Sequence, residues 1–88
     1  MIEKKFTIPN KMGLHARPAA LFVQTASRFA AEVRLIKDGI EVNGKSVMGL
    51  MMLAAECGCQ VTIRAWGVDE EKSMAAIEKI FADKFSEE

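Results

Sequence analysis

The sequence has few of the features that mark secreted, membrane-spanning or nucleic-acid-binding proteins. Its two cysteines, Cys57 and Cys59, are too few for the disulfide framework of a small secreted domain. Its longest apolar run, Val47 to Ala55, is well short of the roughly 20 residues that a membrane-spanning helix needs. Twelve basic residues balance 12 acidic ones. This balance argues against nucleic acid as the main partner, because phosphate backbones are bound by an excess of Lys and Arg.

The N-terminus is charged and is followed by no apolar segment of the kind found in signal peptides. We therefore expect a cytoplasmic protein. The chain has 88 residues, half of them hydrophobic, and no linker or repeat, so we expect one domain spanning residues 1–88. A domain of this size does not easily enclose a deep pocket, which favours surface chemistry or partner binding.

The hydrophobic pattern predicts seven elements in the order strand, helix, strand, strand, helix, strand, helix. This order indicates an α+β sandwich with the helices on one face of a largely antiparallel sheet. The same order, up to the last strand, occurs in ferredoxin-like folds, so the fold pattern alone leaves the function open. The predicted elements are a strand from Ile2 to Ile8, a helix that begins between Ala16 and Pro18 and keeps apolar spacing to Ala30, a strand over Glu32–Lys37, a hairpin turn at Asp38-Gly39, a strand over Ile40–Val42, a helix from Val47 to about Leu53, a strand over Gln60–Trp66, and a last helix capped by Asp69 with Met74, Ile77, Phe81 and Phe85 on its buried side.

The single histidine, His15, lies directly before the first predicted helix. The first N–H groups of a helix have no intrahelical partners and, with the helix dipole, favour an anion. A phosphoryl group on the imidazole would be received by the backbone N–H groups of Ala16 and Arg17, and the Arg17 guanidinium suits phosphate oxygens. The alternative is an ordinary surface histidine beside a solvated arginine. No second histidine or nearby cysteine completes a metal site.

The second predicted helix contains no polar side chain between Val47 and Ala55. Leu50 and Leu53 are expected to point inward. Some of the remaining apolar residues must then face solvent, which indicates a partner surface, and flexible methionines suit several partners. The alternative is a fully buried element covered by loops. The candidates for exposure are Val47, Met48, Met51 and Met52.

Ser46 precedes this helix and fits either of two interpretations. It is a good N-cap residue. It is also a candidate phosphorylation site, since a phosphate there would place negative charge at the edge of the apolar surface and weaken docking. Cys57 and Cys59 are interpreted as free thiols near a turn, and Glu87-Glu88 as a solvated tail.

Two motifs together carry a resemblance to a known family. Gly13-Leu14-His15-Ala16-Arg17-Pro18-Ala19 resembles the active-site signature of HPr, the histidine-containing phosphocarrier family of the bacterial phosphoenolpyruvate-dependent phosphotransferase system. Lys45-Ser46-Val47-Met48-Gly49-Leu50-Met51-Met52-Leu53 resembles the signature around that family's regulatory serine. The resemblance extends over essentially the whole chain.

The resemblance implies an open-faced sandwich of a four-stranded antiparallel sheet with three helices on one side. It implies that His15 accepts a phosphoryl group on Nδ1 from phosphorylated enzyme I and passes it to an enzyme IIA domain, with Arg17 holding the group. It implies Ser46 as the target of an HPr kinase/phosphorylase. The expected protein is a monomeric carrier in sugar uptake, without cofactor, metal or turnover of its own. The implied docking surface comprises Ala16, Ala20, Val47, Met48 and Met51.

Two alternative functions remain at this point. One is a carrier of a purely regulatory, nitrogen-type branch of phosphotransfer. The other is a ferredoxin-like ligand-binding module. His15 argues against a histidine-lacking regulatory paralogue of the family. The sequence departs from the family pattern at Met12, where a smaller or more polar residue is expected, and at Ala54, where glycine is expected.

Overall fold

The computed structural model describes residues 1–87 and contains all seven predicted elements. A short 3₁₀ turn over Lys84–Ser86, named here the C-terminal turn, follows the last helix. None of the helices in these residues combines the length and apolar character that crossing a bilayer requires. In chain order the elements are β1 (Ile2–Thr7), α1 (Ala16–Ala26), β2 (Glu32–Lys37), β3 (Ile40–Asn43), α2 (Val47–Met52), β4 (Gln60–Trp66) and α3 (Glu70–Ala82).

The four strands form one antiparallel sheet in the order β1-β4-β2-β3. Side chains alternate between its two faces. The three helices cover one face, and the other face is open, so the predicted open-faced α+β sandwich is confirmed. The predicted β2–β3 hairpin is also confirmed, with both Asp38 and Gly39 at positive φ. The buried residues of the two central strands are Val33, Leu35, Val61, Ile63 and Ala65.

Helix α1 ends at Ala26, four residues before the end of the predicted apolar pattern. The N–H groups of Ala30 and Ala31 donate instead to the two carboxylate oxygens of Asp69, at 2.9 and 2.8 Å. The carbonyl of Phe29 accepts from Lys45 Nζ at 2.8 Å. These side chains satisfy backbone groups of the segment after α1, of which the Ala31 N–H is buried and needs a partner.

Asp69 occupies the N-cap position of α3, but its side chain makes no capping bond to that helix. The prediction that Asp69 caps α3 is therefore wrong in its chemistry: the carboxylate binds the α1–β2 connection. The backbone N–H of Ala30, with that of Ala31, holds the pKa of Asp69 below its ordinary value of 3.8. The interaction thus links two loops at one end of the sheet.

Helix α3 ends at Ala82, so Phe85 does not belong to its buried stripe as predicted. The chain instead makes the C-terminal turn, in which Lys84, Phe85 and Ser86 have φ of 52°, 56° and 60°. Phe85 still enters the core, where its ring meets the edge of Phe81 with centroids 4.9 Å apart. The turn therefore keeps the aromatic contact and redirects the residues that follow it.

Helix α2 closes with Ala54 in the left-handed region, at φ 52°. Its N–H donates to the Met51 carbonyl at 3.1 Å. Glycine adopts this conformation without the Cβ clash that other residues suffer. The expectation of glycine at position 54 thus has a physical reason, which is the left-handed backbone at this position.

We predict that Ala54→Gly stabilises the protein by about 0.5–1 kcal/mol, because relief of the left-handed alanine outweighs the greater entropy of unfolded glycine. Urea unfolding measures the change. The matched control is Ala75→Gly, at an exposed position inside α3, which should destabilise by about 1 kcal/mol. A loss of stability in Ala54→Gly would contradict the prediction.

We also predict a pH-dependent stability difference between the wild type and Asp69→Asn. A carboxyl group with a lowered pKa in the folded state stabilises above its unfolded-state pKa, and this stabilisation is lost as the pH falls through the folded pKa. The wild type should therefore be the more stable near neutral pH, and the difference should shrink below about pH 4. Urea midpoints across this range test it, with Glu56→Gln as the control. A difference that stays constant with pH would argue against the Asp69 contacts.

Candidate functional site

His15 is the N-cap residue of α1, as the sequence predicts, with extended backbone torsions of φ −83° and ψ −169°. Its carbonyl accepts the N–H of Ala19 at 3.0 Å, which is the first intrahelical bond. Pro18 has no N–H. The free donors of this helix end are therefore the N–H groups of Ala16 and Arg17, the two that the sequence analysis selected.

The loop before His15 is fixed rather than flexible. Gly13 is buried at φ 71°, and a Cβ at this position would collide with the carbonyl oxygen of Ala55. The same oxygen accepts the N–H of Leu14 at 2.9 Å. Gly13 N–H closes a turn on the Asn10 carbonyl at 3.1 Å. Glycine is required here for close packing, and this packing sets where His15 begins the helix.

The imidazole of His15 is buried on one side and open on the other. Its Nε2 is buried and lies 3.2 Å from Oε2 of Glu87, while 40% of the side chain remains exposed. Nε2 has no hydrogen bond of good geometry, so the pair is a contact between an imidazole and a carboxylate whose N–H···O alignment is incomplete. Of the two ring nitrogens, Nε2 is therefore the one that faces the carboxylate.

Glu87 is held in this position by Asn10. The amide nitrogen of Asn10 donates to Oε1 of Glu87 at 2.9 Å and to the Gly13 carbonyl at 2.7 Å. Both partners are acceptors, so the orientation of the amide is determined by its contacts. The interpretation of Glu87 as a solvated tail residue is therefore wrong, and Glu88, which was grouped with it, lies outside the described residues.

Sequence reasoning missed Asn10 and Glu87 as parts of the site. Glu87 is separated from His15 by nearly the whole chain, and only the C-terminal turn brings it back. No local pattern signals such a contact. Asn10 next to Pro9 has the sequence pattern of a turn residue, and its buried amide is a tertiary feature.

An open cleft of about 570 Å³ lies beside His15. Three cationic side chains, Lys11, Arg17 and Lys84, line it together with Glu87. Arg17 is exposed and makes no ion pair within residues 1–87. The cleft therefore combines an imidazole and an excess of positive charge beside the free N-terminus of α1, which suits a transferable phosphoryl group.

A slightly larger cleft, of about 690 Å³, lies over the open face of the sheet and is lined by Lys5, Lys37 and Thr62 among others. It contains neither the histidine nor a free helix N-terminus. The chemistry therefore favours the cleft at His15.

Helix α2 presents an apolar surface beside α1. Leu50 and Leu53 are buried, as predicted, whereas Met48 and Met52 are 71% and 74% exposed and Met51 is 42% exposed. Val47, which was expected on this surface, is half-buried and packs partly against the core. Ala16 is exposed and Ala20 half-buried on α1, which packs against α2. The three methionines, with Ala16, Ala20 and Val47, are named the methionine surface below.

Ser46 caps α2, since its Oγ accepts the N–H of Gly49 at 3.0 Å. The N-cap interpretation is thus confirmed, and the hydroxyl lies at the edge of the methionine surface. Cys57 and Cys59 are free thiols, as expected. In the part of the chain that the structure describes, no group of three or more His, Cys, Asp or Glu side chains is placed to hold a metal ion.

Comparisons with known proteins agree with this geometry. The family model described as "PTS HPr component phosphorylation site" matches residues 2–83. The phosphocarrier protein HPr of Treponema pallidum is 48% identical over 88 residues, which cover all of both chains. The HPr-like protein Crh of Bacillus subtilis is 52% identical over 82 residues, 93% of each chain.

Solved structures show the same fold. The crystal structure of HPr-C-His from Thermoanaerobacter tengcongensis superposes with a TM-score of 0.96 at 49% identity, covering 100% of this chain and 99% of that one. A crystal structure of Bacillus subtilis Crh, described as a dimer with a swapping domain, has a TM-score of 0.70 at 46% identity and covers 98% of this chain and 94% of that one. The resemblance derived from the two motifs is thus confirmed.

Proposed function

The chain belongs to the HPr family of phosphotransferase-system phosphocarriers, and from this premise we propose that His15 is its phosphoryl acceptor. Members of this family carry a phosphoryl group and are not catalysts, in agreement with the prediction of no enzymatic turnover. The observation that carries the proposal is the placement of a half-exposed imidazole, with its Nε2 buried, at the free N-terminus of α1.

The geometry supports a direct transfer. The Nδ1 lone pair of His15 attacks the phosphorus of a phosphohistidine donor, and the P–N bond of the donor breaks, with its electron pair returning to the donor nitrogen. During this transfer the phosphoryl oxygens are stabilised by the N–H groups of Ala16 and Arg17 and by the Arg17 guanidinium. The donor is phosphorylated enzyme I, charged by phosphoenolpyruvate, and the acceptor is an enzyme IIA domain of a sugar permease.

Both partners dock on the methionine surface. Exposed methionines are flexible and polarizable, so one surface can pack against two different partners. An apolar area of this kind beside a reactive histidine excludes water from the transfer. We expect residues 1–88 to act as one carrier domain and as a monomer, since a second copy seated on the methionine surface would exclude enzyme I.

A regulatory role is the second candidate, and the Ser46 geometry favours it. Phosphorylation of Ser46 by an HPr kinase/phosphorylase would replace a capping hydroxyl with a group carrying about −1.5 to −2 charges at the edge of the methionine surface. The helix end tolerates the charge, whereas an apolar partner surface does not. The similarity to Crh, which is described in a solved structure as the catabolite repression HPr of Bacillus subtilis, makes carbon catabolite regulation the natural setting.

We predict that His15→Ala abolishes phosphoryl acceptance without unfolding the protein. Intact mass after incubation with enzyme I and phosphoenolpyruvate should show one acid-labile phosphoryl group on the wild type and none on the variant. Arg17→Ala should accept about 10–100-fold more slowly, since a charge-assisted hydrogen bond contributes roughly 1.5–3 kcal/mol. The matched control is Arg28→Ala, beyond the opposite end of α1. Full phosphorylation of His15→Ala would remove His15 as the acceptor.

We predict that Ser46→Asp weakens the binding of enzyme I roughly tenfold, or about 1.4 kcal/mol. Ser46→Asn is the matched control, because asparagine and aspartate are both good N-caps and differ in charge. Titration calorimetry measures both affinities. Equal weakening in the two variants would show that the cap, and not the charge, affects docking, and unchanged binding in Ser46→Asp would exclude Ser46 as a charge-operated switch.

A further inference from the structure

The contact between Glu87 and His15 has a chemical consequence for the site. The carboxylate is shared, with Oε1 bound to the Asn10 amide at 2.9 Å and Oε2 placed 3.2 Å from Nε2 of His15. Asn10 is almost fully buried, and the Glu87 side chain is largely buried. No other ionisable side chain forms an ion pair with Glu87 in residues 1–87. Its negative charge is therefore directed at the imidazole.

We propose that Glu87 is a positioning residue that selects the ring nitrogen of His15 for phosphorylation. A carboxylate beside Nε2 favours the tautomer in which Nε2 carries the proton. Nδ1 then has the free lone pair, and His15 lines the open cleft. This inference rests on the proposed function of His15 as the acceptor and specifies how the ring is prepared for it.

The same contact assists the transfer itself. Attack by Nδ1 on the phosphorus of the donor phosphohistidine breaks the donor P–N bond and returns the electron pair to the donor nitrogen. No proton leaves His15, because Nε2 keeps its hydrogen, so the phosphorylated ring gains positive charge. That charge lies next to the Glu87 carboxylate, which stabilises it as a carboxylate stabilises an imidazolium in other nucleophilic sites.

The arrangement depends on two features that hold Glu87 in place. The C-terminal turn redirects the chain after the buried Phe85, which anchors it. The Asn10 amide fixes Oε1 and, through its bond to the Gly13 carbonyl, connects Glu87 to the loop that places His15. The Asn10 side chain therefore links the carboxylate to the loop that precedes the imidazole.

The test compares Glu87→Gln and Glu87→Asp with the wild type. Glutamine keeps an oxygen for Asn10 but loses the charge, and aspartate keeps the charge. The matched control is Glu71→Gln, an exposed position on α3. Nitrogen-15 NMR of the His15 ring in the unphosphorylated proteins measures the tautomer. Rapid-quench experiments with phosphorylated enzyme I measure the rate of phosphoryl transfer to His15.

We expect the wild-type ring to carry its proton on Nε2 and Glu87→Gln to show a mixture of tautomers. Acceptance by Glu87→Gln should slow roughly tenfold, as expected for loss of a residue that orients a functional histidine. The tautomer ratio and the acceptance rate of Glu87→Asp should lie between those of the wild type and those of Glu87→Gln. Glu71→Gln should match the wild type in both. An unchanged tautomer and an unchanged rate in Glu87→Gln would overturn the proposal while leaving His15 as the acceptor. A wild type that accepts no phosphoryl group would refute the proposed function, and the NMR comparison would still decide the role of Glu87.

Discussion

The close packing of Gly13 against the Ala55 carbonyl is the constraint on which the site depends. It leaves no room for a side chain, and the same oxygen receives the N–H of Leu14. The β1–α1 loop is thereby joined to the segment that connects α2 and β4. Since α1 begins immediately after this junction, His15 has a fixed position at the helix end, next to the two free N–H groups that follow it and to the cleft.

The chain gathers opposite charges around this volume from both of its ends. Lys11 and Arg17 come from the first quarter of the sequence, and Lys84 and Glu87 come from the region after α3. The cations suit the phosphoryl oxygens, whereas the carboxylate faces the far side of the ring. A small domain can thus build an asymmetric site without a deep pocket, because segments from early and late in the chain meet beside one helix end.

Helix α2 combines a buried side with an exposed apolar side. Burying Leu50 and leaving Met48 and Met52 exposed sacrifices part of the hydrophobic stabilisation that the five apolar side chains of α2 could provide. Ser46 holds the N-terminus of this short helix with one side-chain bond. A helix with so few internal bonds depends on its cap and its packing.

The sequence by itself determined the order of the elements, the β2–β3 turn at Asp38-Gly39, the position of His15 directly before α1 and Ser46 as a helix cap, because these follow from local periodicity and from residues that favour one local geometry. Two motifs at the right separation also determined the family. The structure corrected the end of α1, the partners of Asp69 and the place of Phe85. Only the tertiary structure decided that Asn10 and Glu87 belong to the site. Their contacts join segments that are distant along the chain, and no local preference encodes where a half-buried carboxylate finds its partner.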